Sequence, residues 1–344
     1  MRFQSMRPSL IETSLAERKT SARTIIVYVT DTGFALPSVA SALEVRRLVP
    51  SSLADIVIVT VGIPQRNVDL LASFLDRQNI GVTTLRSQQY SDIDHRLFNQ
   101  THVPDTSLAR FFMTEALPDR YDRILYLDGD VWPRGDLTEL ICAPIPHGCL
   151  AAAEDQSYFF QNDLGASGRA VRSYFAGLGI DGGKGYFNCG VLLADVPTWK
   201  TLAAEAFRFF SENTRICRYH DQSALNAVVS GRRVRMSPRW NFLSVYRNWD
   251  VAPLSGAHLI HFAGGIKPWA AADPEFVGLY DTYKAYFAQL DAAQFSHKPS
   301  GGSVNQSGID YNLRLRRKMK TVFLHRKILR RLRFKELERT SLLK

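Results

Sequence analysis

Two aspartates separated by a single glycine, Asp128-Gly129-Asp130, have the clearest capacity for chemistry in this chain. They end an apolar run, Ile124-Leu125-Tyr126-Leu127, whose branched and aromatic residues suit a fully buried strand. In a strand, residues two apart point to one side, so an extended continuation would project both carboxylates together from the strand's carboxyl end. Ligands of open α/β sheets sit at that edge. Paired carboxylates repel unless a cation lies between them, and hard divalent ions take oxygen ligands in this manner. Gly129 would leave room for a ligand to approach the backbone. The same tripeptide also serves as a plain turn, and both readings stay open on these residues alone.

The surrounding pattern predicts the elements that must hold this pair. Near-continuous apolar strands are expected at 24–30, 56–61 and 81–85, with helices at 36–48 and 67–78. A further helix is expected over 108–117, with Thr106-Ser107 as its cap and Pro118 closing it. Strands alternating with helices argue for a parallel, doubly wound sheet. No G-x-G-x-x-G or G-x-x-x-x-G-K follows the first strand, so neither a dinucleotide fingerprint nor a P-loop is supported. Beyond Asp130 the pattern is less regular. Strands are expected at 149–153, 190–193 and 259–262, and helices at 199–210 and 221–229. Asp195, Trp199 and Trp269 read as structural residues, and the stretches 234–236 and 240–242 are short and ambiguous.

Composition limits the function classes. The apolar fraction of 45% is ample for a core, and no apolar run reaches the roughly 20 residues that span a bilayer. Residues 1–22 read as a polar, flexible leader without the apolar centre of a secretory signal. Four cysteines without a C-x-x-C pair fit a reducing cytoplasm. The net charge of +10 is unevenly spread: 312–344 holds 13 Lys or Arg against 2 Asp or Glu. That leaves 30 basic and 31 acidic residues in 1–311, a net of −1 that argues against a nucleic-acid groove. The segment 291–312 is rich in Ser, Gly, Asn and Gln and reads as a linker between a main domain at 23–290 and a tail at 313–344. In 313–344, Val322, Leu329 and Leu332 at helical spacing could form the apolar stripe of a basic amphipathic helix on an anionic membrane surface, the favoured reading, with a solvated, disordered tail or nucleic-acid binding as the alternatives.

Four separated motifs call for one explanation: D-G-D at 128–130, YFNCGVLL at 186–193, HDQSALN at 220–226 and HFAGGIKPW at 261–269. Together they resemble glycosyltransferase family 8, the glycogenin-like retaining enzymes, and in particular the bacterial lipooligosaccharide and lipopolysaccharide galactosyl- and glucosyltransferases. The likeness runs from about residue 24 to 269. It implies a GT-A type α/β domain with a mainly parallel central sheet flanked by helices. It also implies transfer of galactose or glucose from a UDP-sugar to a cell-surface glycolipid or polysaccharide.

Carried onto matching positions, the resemblance makes Asp128, Asp130 and His261 the metal ligands. Two carboxylates and an imidazole suit Mn²⁺ better than Mg²⁺, the alternative. The donor would be bound by Thr30, Asp31, Phe34, Arg110, Asp155, Asn188, Cys189, Gly264 and Lys267, with Phe34 stacking on the base and Lys267 facing the diphosphate. Gly33 departs from the family where relatives often carry Asn. Asp221 and Gln222 would be catalytic, stabilising positive charge on the sugar during front-face attack. The resemblance places the chain in a bacterial cytoplasm, at the inner face of the plasma membrane. A nucleotidyltransferase is the alternative within enzymes, yet TDTGFALP at 30–37 has no basic residue for a phosphate-rich loop. A non-catalytic UDP-sugar-binding or membrane-surface protein is the alternative outside them.

Overall fold

The computed structural model describes residues 23–93, 105–163, 165–180, 185–229, 231–295, 299 and 306–343. The expected leader at 1–22 and part of the expected linker, 296–298 and 300–305, lie outside them. A seven-stranded sheet runs in the order β3-β2-β1-β4-β7-β6-β8. Its strands are β1 (Thr24–Thr30), β2 (Asp55–Thr60), β3 (Ile80–Thr84), β4 (Arg123–Leu127), β6 (Leu150–Glu154), β7 (Phe187–Asp195) and β8 (Arg233–Arg235). The first four are parallel, as the alternating pattern predicts. β7 is inserted antiparallel to both β4 and β6, while β6 and β8 are parallel. The fold is therefore GT-A-like, with a mostly parallel central sheet flanked by helices.

β1 shows why both faces are covered. Ile25 and Val27 pack to one side, and Ile26 and Tyr28 to the other, all of them fully buried. One face is covered by α1 (Ala35–Leu48) and α2 (Gln65–Asp76). The other is covered by a 3-10 helix (Asp105–Ala116), α3 (Ala166–Gly177), α4 (Val196–Glu212) and α5 (His220–Val228). Two assignments differ from the periodic pattern. The segment around 108–117 winds as a tighter 3-10 helix, and β7 extends well beyond the expected 190–193. Asp195 closes β7 and caps α4 by accepting from Thr198 N–H at 2.6 Å, and Trp199 is buried.

A smaller sheet, in the order β5-β10-β9, carries the second half of the site. β5 is Val131–Pro133, β9 is Phe242–Leu243 and β10 is Leu259–His261. Behind it lies an aromatic core including Trp132, Phe159, Phe242, Tyr246 and Trp249. α6 (Leu279–Ala292) contributes Tyr283 to this core. α7 (Gln306–Lys320) begins inside the stretch read as linker, where buried Ile309 anchors its first turns. α8 (Leu324–Thr340) follows, burying Phe334 and Leu337 against the same aromatic core. After α8, Leu343 forms a parallel bridge to Met236 beside β8.

Candidate active site

The carboxyl ends of β1 and β4, the amino end of β7 and the end of β10 meet at one edge. This meeting follows from strand direction. β7 runs antiparallel to β4, so its start at Phe187–Gly190 lies beside β4's end, with Val191 opposite Leu127. Asp128 N–H donates to the Gly190 carbonyl at 2.9 Å, and Val131 N–H donates to the Asp128 carbonyl at 3.0 Å. The chain thus turns at 128–131 to enter β5. The extended continuation that would align the two carboxylates does not form, and the turn itself brings them together. Gly129 serves this turn differently from the expectation: an added Cβ would lie 2.2 Å from Ser38 Oγ, so the glycine admits α1 rather than a ligand.

β10 delivers a third side chain that could hold a cation. It pairs antiparallel with β5, with His261 opposite Val131, and Phe262 N–H donates to the Asp130 carbonyl at 3.0 Å. His261 Nε2 lies 3.2 Å from Asp130 Oδ1 and 3.7 Å from Asp128 Oδ2. Ligand atoms of all three residues fall within 4.8 Å of one another. Two carboxylates and a ring nitrogen converging in this way form a donor set that fits a divalent cation. Gly190 sits against this group, since a Cβ there would meet His261 Cε1 at 2.2 Å and Asp128 Oδ2 at 3.0 Å.

Two cations offset the acidic cluster. Lys267 Nζ donates to Asp130 Oδ2 at 2.6 Å and to the Phe262 carbonyl at 2.7 Å. Burial alone would raise the Asp130 pKa, but Lys267 and His261 outweigh it and hold the carboxyl well below the usual range. Arg110, from the 3-10 helix, is buried and donates to Asp128 Oδ1 at 3.0 Å and to the Cys189 carbonyl at 2.7 Å. Its Nε lies 3.0 Å from Asp221 Oδ2, and its guanidinium stacks 4.5 Å from the Tyr126 ring centroid. Burial opposes its charge, yet Asp128 and Asp221 keep it firmly protonated. Tyr126 adds an O–H donated to Asp128 Oδ1 at 2.7 Å, a contact hidden in the sequence inside an apolar strand.

Asp221 lies in the first turn of α5 and faces inward rather than capping it. Burial pushes its carboxyl up to about 6 despite the nearby Arg110, with the Asp128 charge adding to the rise. One turn of polar side chains continues from it. Gln222 Oε1 accepts from Cys189 N–H at 3.1 Å and from Asn188 Nδ2 at 3.2 Å. Asn188 Nδ2 also donates to Asp155 Oδ2 at 3.2 Å, and Asp155 caps a short helix by accepting from Ser157 N–H at 2.8 Å. The motif's last residue, Asn226, locks α5 onto β7 by exchanging two hydrogen bonds with the Phe187 backbone.

The structure therefore gathers Asp128, Asp130, His261, Lys267 and Arg110 with Asp155, Asn188, Asp221 and Gln222. Cys189 takes part through its backbone N–H and carbonyl, and its thiol is buried. Thr30 and Asp31 lie at the end of β1. Ser38 Oγ donates to Thr30 Oγ1 at 3.2 Å, and Asp31 Oδ1 accepts from Phe34 N–H at 3.0 Å, opening α1. Phe34 packs edge-on to Trp269 at 5.9 Å with Lys267 Nζ 5.5 Å from its ring centroid, so the β1 end adjoins the Lys267 side of the site. Gly264 lies in an exposed loop after β10, with open space around it. Sequence reasoning missed Asn241, fully buried between His261 and Asn188, because it falls in a short stretch without periodicity.

The family model described as Glycosyl transferase family 8 matches residues 25–273, well over half of the chain, and the chain belongs to that family. It is 28% identical over 200 residues to "Glycosyltransferase GlyF" of Streptococcus pneumoniae, covering 54% of this chain and 44% of that protein. It is 25% identical over 171 residues to the lipopolysaccharide 1,2-glucosyltransferase of Escherichia coli, covering 46% and 48%. A lipopolysaccharide 1,3-galactosyltransferase of Salmonella typhimurium matches at 27% over 171 residues, with the same coverage. The chain spans about half the length of these curated relatives, or slightly less. Among solved structures, galactosyltransferase LgtC in complex with donor and acceptor sugar analogs superimposes with a TM-score of 0.62 at 24% identity, covering 80% of this chain and 98% of that one. That likeness shows the shared fold.

Proposed function

We propose that this chain is a metal-dependent retaining hexosyltransferase moving galactose or glucose from a UDP-sugar to a glycolipid or polysaccharide acceptor such as lipopolysaccharide core. The observation that carries the reading is the convergence of Asp128, Asp130 and His261 directly beside Lys267, with Asp155, Asn188 and Gln222 one residue layer away. A cation-binding trio next to the Lys267 ammonium, itself paired with Asp130, suits a diphosphate leaving group, and the adjoining ring of amides and a carboxylate suits sugar hydroxyls. The named relatives that act on lipopolysaccharide favour a hexose donor.

The residues then divide the work. Asp128, Asp130 and His261 would hold Mn²⁺, which neutralises charge on the departing diphosphate when bound. Lys267 places a second positive charge at the same leaving group, preorganised by the Phe262 carbonyl. Phe34 stacks on the uracil, Thr30 and Asp31 meet the nucleoside, and the Gly264 backbone borders the phosphates. Asp155 and Asn188 orient sugar hydroxyls. Gln222 Oε1 is already committed to two donors, and an amide oxygen so engaged is a weak nucleophile. This favours front-face attack, with ionised Asp221 and the Gln222 carbonyl dipole stabilising the oxocarbenium-like state. The acceptor hydroxyl passes its proton to the leaving phosphate.

We further propose that the enzyme works at the inner face of a bacterial plasma membrane. No helix among the described residues is long and apolar enough to cross a membrane. The exposed face of α7, α8 and their junction instead carries Val322, Leu324, Ile328, Leu329 and Leu332 among Lys320, Arg326 and Lys335. Apolar side chains flanked by cations match an anionic lipid surface.

The decisive experiment is a turnover and binding screen against UDP-Gal, UDP-Glc, UDP-GlcNAc and UDP-GalNAc, with Mn²⁺, with Mg²⁺ and with EDTA. The expected result is UDP release from UDP-Gal or UDP-Glc that Mn²⁺ supports best and that EDTA or Asp130→Ala abolishes. Absence of metal-dependent binding of every UDP-sugar would sink the reading.

A further inference from the structure

One buried residue joins the two halves of the site. Asn241 has no exposed surface and stands immediately before β9, whose Leu243 pairs with His261. Its Nδ2 donates to Asn188 Oδ1 at 2.8 Å, and its Oδ1 lies 3.0 Å from His261 Nδ1. The direction of this chain is fixed from one end. Gly190 N–H, a donor that cannot be exchanged, donates to Asn188 Oδ1 at 2.9 Å. Asn188 must then present its Nδ2 to Asp155 and Gln222, which it does. Asn241 can satisfy Asn188 Oδ1 only with its own Nδ2, so its carbonyl oxygen turns to His261. An oxygen acceptor at Nδ1 requires a proton there, and Nε2 is the ring nitrogen turned to Asp128 and Asp130, the one able to give its lone pair to a cation held between them.

We propose that Asn241 is a positioning residue that selects the His261 tautomer and ties the metal group to the sugar-facing pair Asn188 and Asp155. The inference rests on the transferase reading above and adds a coupling within that site. A buried amide is suited to this task because it accepts on one side and donates on the other. A leucine there keeps the volume but supplies neither bond. An aspartate keeps the acceptor for His261 and loses the donor to Asn188. Outer partners of this kind are worth about 10- to 100-fold in metal affinity.

The test uses the full chain with ¹⁵N-labelled histidine, the His261 signals being assigned by comparison with His261→Gln. In the wild type Nδ1 carries the proton, both without metal and with saturating diamagnetic Mg²⁺. Mn²⁺ titration followed by electron paramagnetic resonance then compares variants that retain the wild-type thermal melt. Asn241→Leu is expected to weaken Mn²⁺ by about 10- to 100-fold. Asn241→Asp is expected to hold Mn²⁺ within a few-fold of wild type while losing the preference for UDP-sugar over UDP. An unprotonated Nδ1 in the wild type, or unchanged Mn²⁺ affinity in a folded Asn241→Leu, would overturn the proposal. Should Asn241→Leu fail to fold, the wild-type tautomer and the Asn241→Asp pattern decide. A wild type that binds no Mn²⁺ would count against the metal reading instead, and the Nδ1 proton would still decide the part played by Asn241.

Discussion

Arg110 places one buried positive charge between two carboxylates in unlike surroundings. Asp128 also accepts from the Tyr126 hydroxyl and lies toward the opening, whereas Asp221 is nearly sealed and its carboxyl rises to about 6. Two carboxylates in surroundings this unlike can take different roles at one site. If ionised Asp221 stabilises the sugar's positive charge, turnover falls as pH drops through about 6, and Asp221→Asn flattens that limb at a low rate. A pH–rate profile of both proteins checks this. The stability consequence has the opposite slope. A carboxyl raised above its unfolded value of 3.8 binds its proton more tightly in the folded state. Its stabilising contribution is full below about pH 4 and is lost as pH rises through 6. Urea melts should therefore show Asp221→Asn gaining on the wild type over that interval, by on the order of a few kcal/mol. A wild-type rate independent of pH between 5 and 7 would remove Asp221 from the charged role.

At the scale of elements, the site depends on how closely two strands from different sheets approach. Gly190 on β7 faces His261 on β10, and a methyl group there would lie 2.2 Å from His261 Cε1 and 2.5 Å from Nδ1. A contact that short must be relieved by moving the ring, because β7 is held on both sides by β4 and β6. Gly190→Ala should therefore retain the sheet, read by far-UV circular dichroism, while Mn²⁺ affinity drops at least tenfold in a titration. Unchanged Mn²⁺ affinity would mean that His261 has slack the packing does not suggest. The same approach shows what was legible in the sequence. The buried runs at β1, β2 and β4 announce themselves through composition, and D-G-D, FNC and DQ through motif. Asn241 and the close fit at Gly190 do not, since each depends on strands far apart in the chain meeting at this edge. Tyr126 was hidden for a related reason: its ring satisfies the apolar pattern of β4 while its hydroxyl reaches Asp128.

For the whole molecule, the basic tail is the point on which composition and three-dimensional placement say different things. Composition shows a surplus of positive charge, and helical spacing shows an apolar stripe. Neither shows that α7 and α8 also carry a second, inward face. Met319, Phe334 and Leu337 are buried in the aromatic core that backs the small sheet, with Phe334 5.4 Å from Tyr246 and 6.1 Å from Phe242. Asp250 receives Lys327 and Arg316, and Arg330 pairs with Asp163 while stacking 4.3 Å from Trp249. Part of the charge surplus is therefore spent on the protein itself, and Val322, Ile328, Leu329 and Leu332 remain outside. Deleting the tail would confound these two faces. Substituting each face alone separates them. Phe334→Ala should cost about 3–5 kcal/mol of stability, typical of a large aromatic removed from a core. It should also disturb the site, because Phe242 directly follows Asn241. Leu329→Glu with Leu332→Glu should leave the melt unchanged and reduce sedimentation with anionic liposomes several-fold, since the pair removes apolar contact and adds repulsion. Liposome binding that survives the double substitution would place the membrane contact elsewhere, and a lowered melt would show that this outer face packs against the protein.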